Sequence, residues 1–558
     1  MSIASRLTRS AKGLAALSAA ALLLVSPSAL AQDVQTGGTV RVTRSSGSYT
    51  NNSNPFGNPG QNLPSTASIY EPLFFVNAVS GEITPLLGMS YEWSEDNLTL
   101  TVKTREGVQW SDGEPFSAQD VAFTFNYIKE HPELDTTGVW PLGVESVEAT
   151  DDTTVVFTFS EANTPLFKDI AGRTIAPEHI WAEIADPVQE TNENPVGTGP
   201  FLLHSFAPQL IKVVKNPNYW LSGQPYVDGV TWQVTNSNQS TLLLLLQDQA
   251  DYAYSQIPNV DQTFNARDPE TYVSWWPVNN DNILYLNTAK APFDDVAFRK
   301  AVAMAVDKED VAAKAYAGTT VGPAHPSGIF PAQRDEWLNA DLQEAGYGFD
   351  PDAARAMLEE AGYSYDGDTL LDKEGNPLPT YPILVGAGWT DFITMAQVVS
   401  QNLSAIGIES SIQQENWGSY SRGLQSGTYD MAISWGWGNT GASPYYLYNG
   451  SLSPEFSADE IGELADSNMS RFTDPTIAEA LVTFRQSSDF EVQKEAINQI
   501  AAVVIEQVPY VPLNDRVQFS NFNLSTFTGW PSPENPYTDG GPDDSVAGLL
   551  MFREVHLK

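Results

Sequence analysis

The chain has 558 residues, of which 69 are acidic, 28 are basic and none is cysteine. The lack of cysteine excludes disulfides, thiolate metal ligands and a lipid anchor on cysteine, and a net charge of −41 argues against nucleic acids and anionic lipids as partners. A chain of this length exceeds what one hydrophobic core supports, so two or three domains are expected.

The N-terminus has the three parts of a cleavable secretory signal. Basic residues stand within the first 12 positions, residues 13–25 are apolar and rich in Ala and Leu, and residues 29–31 read Ala-Leu-Ala. The apolar run is shorter than the ~20 residues that a membrane-spanning helix needs. We therefore expect residues 1–31 to be a signal peptide and the mature protein, starting at Gln32, to be periplasmic and not lipid-anchored. An uncleaved anchor is the alternative interpretation.

The first part of the mature chain is predicted to contain strands and at least one well-capped helix. Residues 39–43, 98–104 and 153–159 alternate polar and apolar side chains with a period of two, which predicts strands. Ser117, with Asp120 three residues later, resembles a capping box and predicts the start of a helix.

The second half alternates short strands with helices. Residues 383–385, 408–412 and 431–435 predict strands, and the longer segments between them have helical patterns. An acidic turn region at 366–376 predicts a hairpin, because it lacks the full pattern of a calcium-binding loop. The fold class that follows is α/β.

A series of short motifs extends over most of the mature chain. They are WSDGEPFSAQDV (110–121), NPVGTGPF (194–201), NPNYW (216–220), FRKAVAMAVDKEDV (298–311), MAQVVSQNLSAIGI (395–408) and YDMAISWGWG (429–438). Together they resemble the family 5 extracellular solute-binding proteins, the receptors of ABC importers for oligopeptides, nickel and oligosaccharides. Any one of these motifs is weak evidence, but they occur in the family's order.

The resemblance implies a two-lobed periplasmic binding protein with a hinge, a ligand cleft and a small extra domain. Ligand would bind between the lobes and favour the closed form, which the permease distinguishes from the empty one. The implied boundaries are 1–31 for the signal peptide, 32–78, 193–285 and 525–558 for lobe I, 79–192 for the small domain, and 286–524 for lobe II.

The same resemblance implies the partners. These are a small-molecule ligand and the inner-membrane permease subunits of an ABC importer with their cytoplasmic ATPases. No cofactor, metal or nucleic acid is expected, and the protein is expected to be a monomer, since it must expose both lobes to the permease.

One departure from the family pattern bears on the ligand. Peptide-binding members typically carry an acidic residue three positions after the Trp of a G-W-x-x-D-Y-x-x-P segment, and that carboxylate pairs with the peptide's α-ammonium group. Here residues 437–444 read WGNTGASP, with Thr440 in the acidic position. A buried ammonium without a counter-charge is costly. We therefore expect an oligosaccharide, neutral and of two to five units. A di- or oligopeptide held by an acid from elsewhere is the alternative.

The candidate ligand-binding residues are rings and amides, because sugar faces pack on flat rings while sugar hydroxyls need hydrogen-bonding partners. For each Trp the alternative is core packing, and for each Asn in the polar N-terminal loop it is turn formation. The candidates are Asn52, Asn54, Trp275, Trp276, Trp389, Trp417, Trp435, Trp437, Asn439 and Tyr445.

Motifs of other chemistries are lacking. The sequence has no G-x-S-x-G, no H-E-x-x-H and no Walker A motif, and its five histidines are scattered without metal-ligand spacing. Gly436, Gly438 and Gly441 match G-x-G-x-x-G, but Ser443 and Pro444 stand where a dinucleotide site needs a helix. The sequence thus predicts a protein that is not an enzyme, although it leaves open a pair of facing carboxylates of the glycosidase kind.

Overall fold

The computed structural model of the protein describes residues 34–45, 48–57, 63–136, 138–316, 321–436, 443–541 and 544–558. The expected signal peptide lies outside these residues. In the ranges just given, no helix is both long and apolar enough to cross a membrane.

The strands form three larger sheets and three short two-stranded pairings. They are β1 (Thr39–Ser45), β2 (Phe74–Val76), β3 (Ile83–Pro85), β4 (Gly88–Trp93), β5 (Thr99–Thr104), β6 (Val144–Asp151), β7 (Thr154–Phe159), β8 (Phe201–Ala207), β9 (Leu210–Lys215), β10 (Gly229–Thr235), β11 (Tyr252–Tyr254), β12 (Tyr272–Trp275), β13 (Val278–Leu286), β14 (Ser364–Asp366), β15 (Thr369–Leu371), β16 (Tyr381–Gly386), β17 (Ser410–Glu415), β18 (Met431–Trp435), β19 (Tyr510–Val517), β20 (Ser520–Asn523), β21 (Phe527–Thr528) and β22 (His556–Leu557).

The helices cover the sheets and connect most of their strands. They are α1 (Thr66–Ile69), α2 (Ala118–Glu130), α3 (Phe167–Gly172), α4 (Glu178–Trp181), α5 (Asn238–Leu246), α6 (Val260–Thr263), α7 (Val296–Ala305), α8 (Lys308–Ala315), α9 (Pro331–Trp337), α10 (Ala340–Glu344), α11 (Pro351–Glu360), α12 (Thr390–Ala405), α13 (Trp417–Gln425), α14 (Tyr445–Leu452), α15 (Pro475–Arg485), α16 (Phe490–Gln507) and α17 (Val546–Glu554).

The locally predicted elements are present. The strands expected at 39–43, 98–104 and 153–159 correspond to β1, β5 and β7, and the α/β alternation of the second half is confirmed by β16, α12, β17, α13 and β18. The acidic turn is a hairpin, as predicted, in which β14 pairs antiparallel with β15. Ser117 caps α2 in a capping box, with the Asp120 carboxylate accepting the Ser117 N–H at 2.9 Å.

A seven-stranded sheet forms the centre of what we call the first lobe. Its strand order is β12-β20-β11-β1-β10-β9-β8. The strand β1 is parallel to both β10 and β11, whereas β20 is antiparallel to β11 and β12. Its core includes Val40, Val42, Trp232 and Phe552, all of which are buried. Strands from distant parts of the chain therefore share one hydrophobic core.

A five-stranded sheet forms the centre of the second lobe, in the order β17-β16-β18-β13-β19. The strands β17, β16 and β18 are parallel, and β13 is antiparallel to both β18 and β19. Each face of this sheet is covered. Ile383 and Val385 belong to the core on one face, and Leu384 and Tyr285 to the core on the other. This explains why the predicted strands are almost continuously apolar.

A third sheet, β4-β5-β7-β6, is antiparallel throughout. Helix α2 packs on it through Val121 and Phe125, which contact a core that also holds Val102 and Phe157. These strands lie within the segment 79–192, for which a small extra domain was expected.

In the described part of the chain, two short segments join the seven-stranded sheet directly to the five-stranded one. Residues 276–277 connect β12 to β13, and residues 518–519 connect β19 to β20. A backbone hydrogen bond of 3.0 Å links the two segments. The rings of Trp276 and Phe519 also meet edge to face, with centroids 5.2 Å apart. The segments therefore form one packed connection between the lobes.

Candidate functional site

The two large sheets present corresponding edges to this connection. In the first lobe, β1, β10, β11 and β12 run in one direction and end where residues 276–277 leave the sheet. In the second lobe, β16, β17 and β18 run in one direction and end where β13 begins and β19 finishes. Ligands of open α/β sheets bind outside the carboxyl ends of the strands. The candidate site is therefore the cleft between these two edges.

Three tryptophans stand at the second lobe's edge of this cleft, one after each parallel strand. Trp435 is the last residue of β18, Trp417 opens α13 directly after β17, and Trp389 precedes α12 after β16. The turn from β17 into α13 is fixed by Asn416, whose side chain accepts the N–H of Ser419 at 3.2 Å. The βα alternation thus brings together three rings that are 46 positions apart in sequence at most.

The three rings form one contiguous surface, which we call the tryptophan platform. The rings of Trp417 and Trp435 are nearly parallel, at 14°, with centroids 6.2 Å apart. The centroid of the Trp389 ring lies 6.0 Å from that of Trp417 and 5.9 Å from that of Trp435. Trp417 is 54% exposed, so the platform offers a wide aromatic surface to a ligand.

Residues behind the platform hold it in place. Phe392 and Tyr420 both pack edge to face on Trp389, with ring centroids 5.4 and 5.1 Å from that of Trp389, respectively. The Tyr420 hydroxyl donates to the backbone carbonyl of Ile433 at 2.8 Å, which ties α13 to β18. Gly386 leaves the space that the Trp389 ring occupies, since a Cβ on Gly386 would lie 2.3 Å from that ring.

Charged groups lie beside the platform. The guanidinium carbon of Arg516, near the end of β19, is 5.6 Å from the centroid of the Trp435 ring. Asp391 is in the first turn of α12. Burial raises the pKa of Asp391, and the Arg516 charge partly opposes this rise. The cleft therefore combines an aromatic surface with a cation and a carboxyl group.

The first lobe contributes polar groups from the ends of its own strands. Arg44, at the end of β1, binds the Asp544 carboxylate at 2.6 Å. The Tyr254 hydroxyl, at the end of β11, donates to the side-chain carbonyl of Gln518 in the connection. Burial raises the pKa of Tyr254, so this hydroxyl stays a hydrogen-bond donor at neutral pH.

Other predicted site residues lie elsewhere. Trp275 belongs to the core of the first lobe, and Tyr445 belongs to a core of the second lobe, stacked on Phe484 at 4.6 Å. The side chain of Trp276 is in the connection, where its ring N–H donates to Asn521 at 3.2 Å. Trp275 and Tyr445 thus pack within the lobes, and Trp276 packs at their junction.

The two asparagines of the N-terminal loop have structural contacts. Asn54 is buried, and its amide donates to the carbonyls of Pro187 and Glu190 at 2.8 and 2.9 Å. The side chain of Asn52 accepts the Asn54 N–H at 3.0 Å, as turn-forming asparagines do. Neither contact assigns these residues to a ligand.

Part of the predicted site lies outside the described residues. This applies to Trp437, Asn439 and Thr440, since residues 437–442 are not described. In the sequence, these residues directly follow Trp435 and Gly436.

Sequence reasoning missed Arg516, Asp391 and Tyr254. A single Arg within an apolar strand carries no motif, and its position at the cleft depends on the pairing of β13 with β19, which joins residues more than 200 positions apart. One signal was available. Successive side chains of a strand point to opposite faces, so a strand at β19 places Arg516 on the face opposite to Asp515.

A second concave surface, of about 830 Å³, lies at the opposite end of β16. It is lined by Tyr363 and Tyr381 and by several carboxylates. Two of these already have lysine partners, Asp295 with Lys373 and Asp430 with Lys290. It offers no exposed aromatic platform, and in the described ranges no three His, Asp or Glu side chains are grouped to hold a metal.

Comparison with protein families decides the class of the protein. Residues 82–458 match the family described as bacterial extracellular solute-binding proteins, family 5, middle region. The chain belongs to this family. The family's proteins are periplasmic binding proteins for transport and not enzymes, and they work with a permease and an ATPase.

Curated relatives of this family 5 protein bind different ligands. Di/tripeptide-binding protein 2 of Pseudomonas aeruginosa is 27% identical over 482 residues, which are 81% of this chain and 84% of the relative. Heme-binding protein A of Haemophilus influenzae is 25% identical over 489 residues, with 82% and 83% coverage.

Solved structures confirm the two-lobed fold. A periplasmic oligopeptide-binding protein of an oligopeptide ABC transporter from Thermotoga maritima aligns with a TM-score of 0.86 at 25% identity, covering 93% of this chain and 99% of its own. The crystal structure of that protein with bound mannohexaose aligns with a TM-score of 0.80, also at 25% identity, covering 93% and 98%. This chain is therefore the periplasmic solute-binding component of an ABC importer.

Proposed function

We propose that this solute-binding protein captures an oligosaccharide of two to five units between its lobes and delivers it to the permease. The tryptophan platform carries this proposal. Sugar rings expose C–H groups on their faces, which pack on flat aromatic surfaces, while their hydroxyls need hydrogen-bonding groups nearby. The cleft provides both, since Arg516, Asp391 and the Arg44–Asp544 pair lie at its two edges.

The exposure of Trp417 supports a stacking role. A side chain of this size that is 54% exposed leaves apolar area in water, and burying such area gains about 25 cal/mol per Å². Its ring is nearly parallel to that of Trp435, at 14°. Sugar units that pack on these parallel rings would share one orientation, which suits a chain-like ligand.

The relative with bound mannohexaose supports the same ligand class. The alignment covers 93% of this chain at 25% identity. Its ligand is an oligosaccharide although it is described as an oligopeptide-binding protein, so the ligand class must be argued from the cleft.

From the sequence we expect lobe I to take residues 32–78, 193–285 and 525–558, and lobe II residues 286–524. We propose that the boundaries near 285 and 524 lie instead at the connection, since β13 pairs in the five-stranded sheet and β20 in the seven-stranded sheet. We propose that the connection formed by residues 276–277 and 518–519 is the hinge, that a ligand bound to both edges favours the closed form, and that the protein acts as a monomer.

A di- or oligopeptide is the second candidate. Several relatives are named as binding di- or tripeptides, and Arg516 and Asp391 could meet a peptide's two charged ends. The sequence argument against it is Thr440, which stands where peptide-binding members carry an acid. Peptide affinity therefore has to be tested directly.

Titration calorimetry on the mature protein tests the proposal. The ligands are neutral di- to pentasaccharides and di- to pentapeptides, and the variants are Trp417→Ala and the control Phe349→Ala, an aromatic residue that is 52% exposed. We expect saccharide binding that Trp417→Ala weakens by roughly tenfold to a hundredfold, the usual effect of truncating an aromatic hot spot. Phe349→Ala should leave it unchanged. Binding of peptides alone would refute the sugar assignment.

A further inference from the structure

Arg516 is a cation in the cleft without a carboxylate partner. In the described part of the chain, no ion pair or side-chain hydrogen bond joins its guanidinium to another residue. Arg44, at the opposite edge of the cleft, is bonded to Asp544 at 2.6 Å. The side chain of Arg516 is partly buried, so its charge has lost some contact with water and has gained no anion in return.

The position of Arg516 is fixed by the sheet. It lies opposite Asn280 in the pairing of β19 with β13. The guanidinium carbon is 5.6 Å from the centroid of the Trp435 ring. Arg516 thus stands at the end of the tryptophan platform nearest the connection between the lobes, where a ligand that stacks on the rings would reach it.

Neighbouring charges do not neutralise it. The Arg516 charge acts to lower the pKa of Asp391, Tyr254 and Tyr316. However, no oxygen of Asp391 lies within ion-pair distance of Arg516. The Arg44–Asp544 pair belongs to the first lobe. Closing the cleft would remove more water from Arg516, and desolvating an unpaired charge is costly.

We propose that Arg516 is a carboxylate subsite and that the oligosaccharide, expected from the sequence to be neutral, instead carries an acidic sugar, such as a uronic acid, at this end of the platform. The guanidinium offers parallel N–H donors that match the two oxygens of a carboxylate. The net charge of −41 repels anions from the surface, so an anionic ligand requires a fixed cation at the point of contact. This inference rests on the proposed function.

The α-carboxylate of a peptide offers the same chemistry from another source. The stacking surface favours the sugar acid, because the nearly parallel rings of Trp417 and Trp435 lie on the side of the cleft that holds the guanidinium. Ligands that differ only in the carboxylate separate the two sources.

The experiment is calorimetric titration with four probes, namely a neutral trisaccharide, trigalacturonic acid, a tripeptide and the same tripeptide as its C-terminal amide. The variants are Arg516→Gln, Arg516→Lys and Arg267→Gln. Arg267 is exposed on the first lobe and controls for the loss of one positive charge. Thermal unfolding without ligand shows that each variant is folded, and Arg516→Lys keeps the charge while removing the planar fork.

The expected result is that the wild type binds the uronide at least about tenfold more tightly than the neutral sugar. Arg516→Gln should abolish this preference, Arg516→Lys should keep part of it, and Arg267→Gln should retain it. Affinity for the uronide should also fall as salt rises.

Two results separate the inferences. Equal affinity for neutral and acidic sugars, unchanged in Arg516→Gln, would overturn the carboxylate subsite and leave the sugar proposal standing. Binding of the tripeptide alone, lost in its amide and in Arg516→Gln, would support the subsite and overturn the sugar proposal. Failure of all four probes to bind the folded wild type would contradict both.

Discussion

At the scale of single residues, burial separates the rings that can bind ligand from those that hold the fold. Trp275, Trp389, Trp417 and Trp435 are alike in chemistry. The structure places Trp275 in a core and leaves Trp417 exposed at the cleft. Burial depends on contacts between distant segments, so it could not be read from any single stretch of sequence.

Gly386 shows how tightly the platform is built. A Cβ at this position would lie 2.3 Å from the Trp389 ring, so Gly386→Ala must displace a ring that contacts both other tryptophans. Overpacking of this kind costs about 1–3 kcal/mol. We expect a lower melting temperature and weaker saccharide binding, measured by thermal unfolding and calorimetry. The control is Gly348→Ala, since a Cβ there meets no atom within 4 Å; an equal loss in both variants would contradict the assignment.

A buried acidic pair lies one residue away from the cleft. Asp281 and Asp515 are directly opposite each other in β13 and β19 and are 1% and 5% exposed. Among the described residues, neither side-chain oxygen of Asp281 has a hydrogen-bond partner. Asp515 has an ion pair, in which Nη2 of Arg334 lies 3.7 Å from Oδ1 of Asp515. Burial raises the pKa of both carboxyls, and the nearby Asp515 charge raises that of Asp281 further.

This pair makes stability depend on pH. Asp281 keeps a proton in the folded state that the unfolded chain releases near pH 4. Its contribution to stability is therefore complete below that pH and is lost as pH rises towards the folded-state pKa. Asp281→Asn mimics the protonated acid and should gain about 1.4 kcal/mol relative to the wild type per pH unit in this window.

Thermal unfolding of the wild type and Asp281→Asn between pH 4 and 8 checks this prediction. The gap between their melting temperatures should widen as pH rises. Asp335→Asn, which alters an exposed carboxylate, should show no such change. Parallel pH profiles for the wild type and Asp281→Asn would mean that the buried pair does not hold the proton.

At the scale of elements, signals confined to a few residues predicted the structure well. The capping box at Ser117 and the strand at 431–435 are present as expected, and the hairpin expected at 366–376 is formed by residues 364–371. Each depends on neighbours a few positions apart. The connection at 276–277 and 518–519 was not predicted residue by residue, because it joins segments more than 240 positions apart and its packing follows from the closure of both sheets.

The helix α2 permits a quantitative check on local capping. The Ser117 side chain accepts the Gln119 N–H at 3.1 Å, and the Asp120 carboxylate accepts the Ser117 N–H at 2.9 Å. Ser117→Ala removes one part of this reciprocal arrangement and should cost about 1 kcal/mol. Thermal unfolding should show a lower melting temperature, whereas Ser364→Ala, at an exposed position, should have little effect. Saccharide affinity should stay the same, since α2 lies away from the platform.

At the scale of the whole molecule, binding and stability are linked. A ligand that contacts the carboxyl edges of both sheets binds the folded protein and not the unfolded chain. At 100 times its Kd, such a ligand adds about 2.7 kcal/mol to the free energy of unfolding. The class of protein was predictable because its motifs extend along the chain, whereas the ligand is not, since it depends on how segments far apart in sequence meet in the cleft.

Sugar binding by the tryptophan platform is tested most directly by thermal unfolding of the mature protein with di- to pentasaccharides, both neutral and acidic, and with short peptides, repeated for Trp417→Ala. We expect a higher melting temperature with one class of saccharide, no rise with peptides, and a much smaller rise in the variant. A rise with peptides alone, or one that Trp417→Ala leaves unchanged, would contradict the proposal that the tryptophan platform binds sugar.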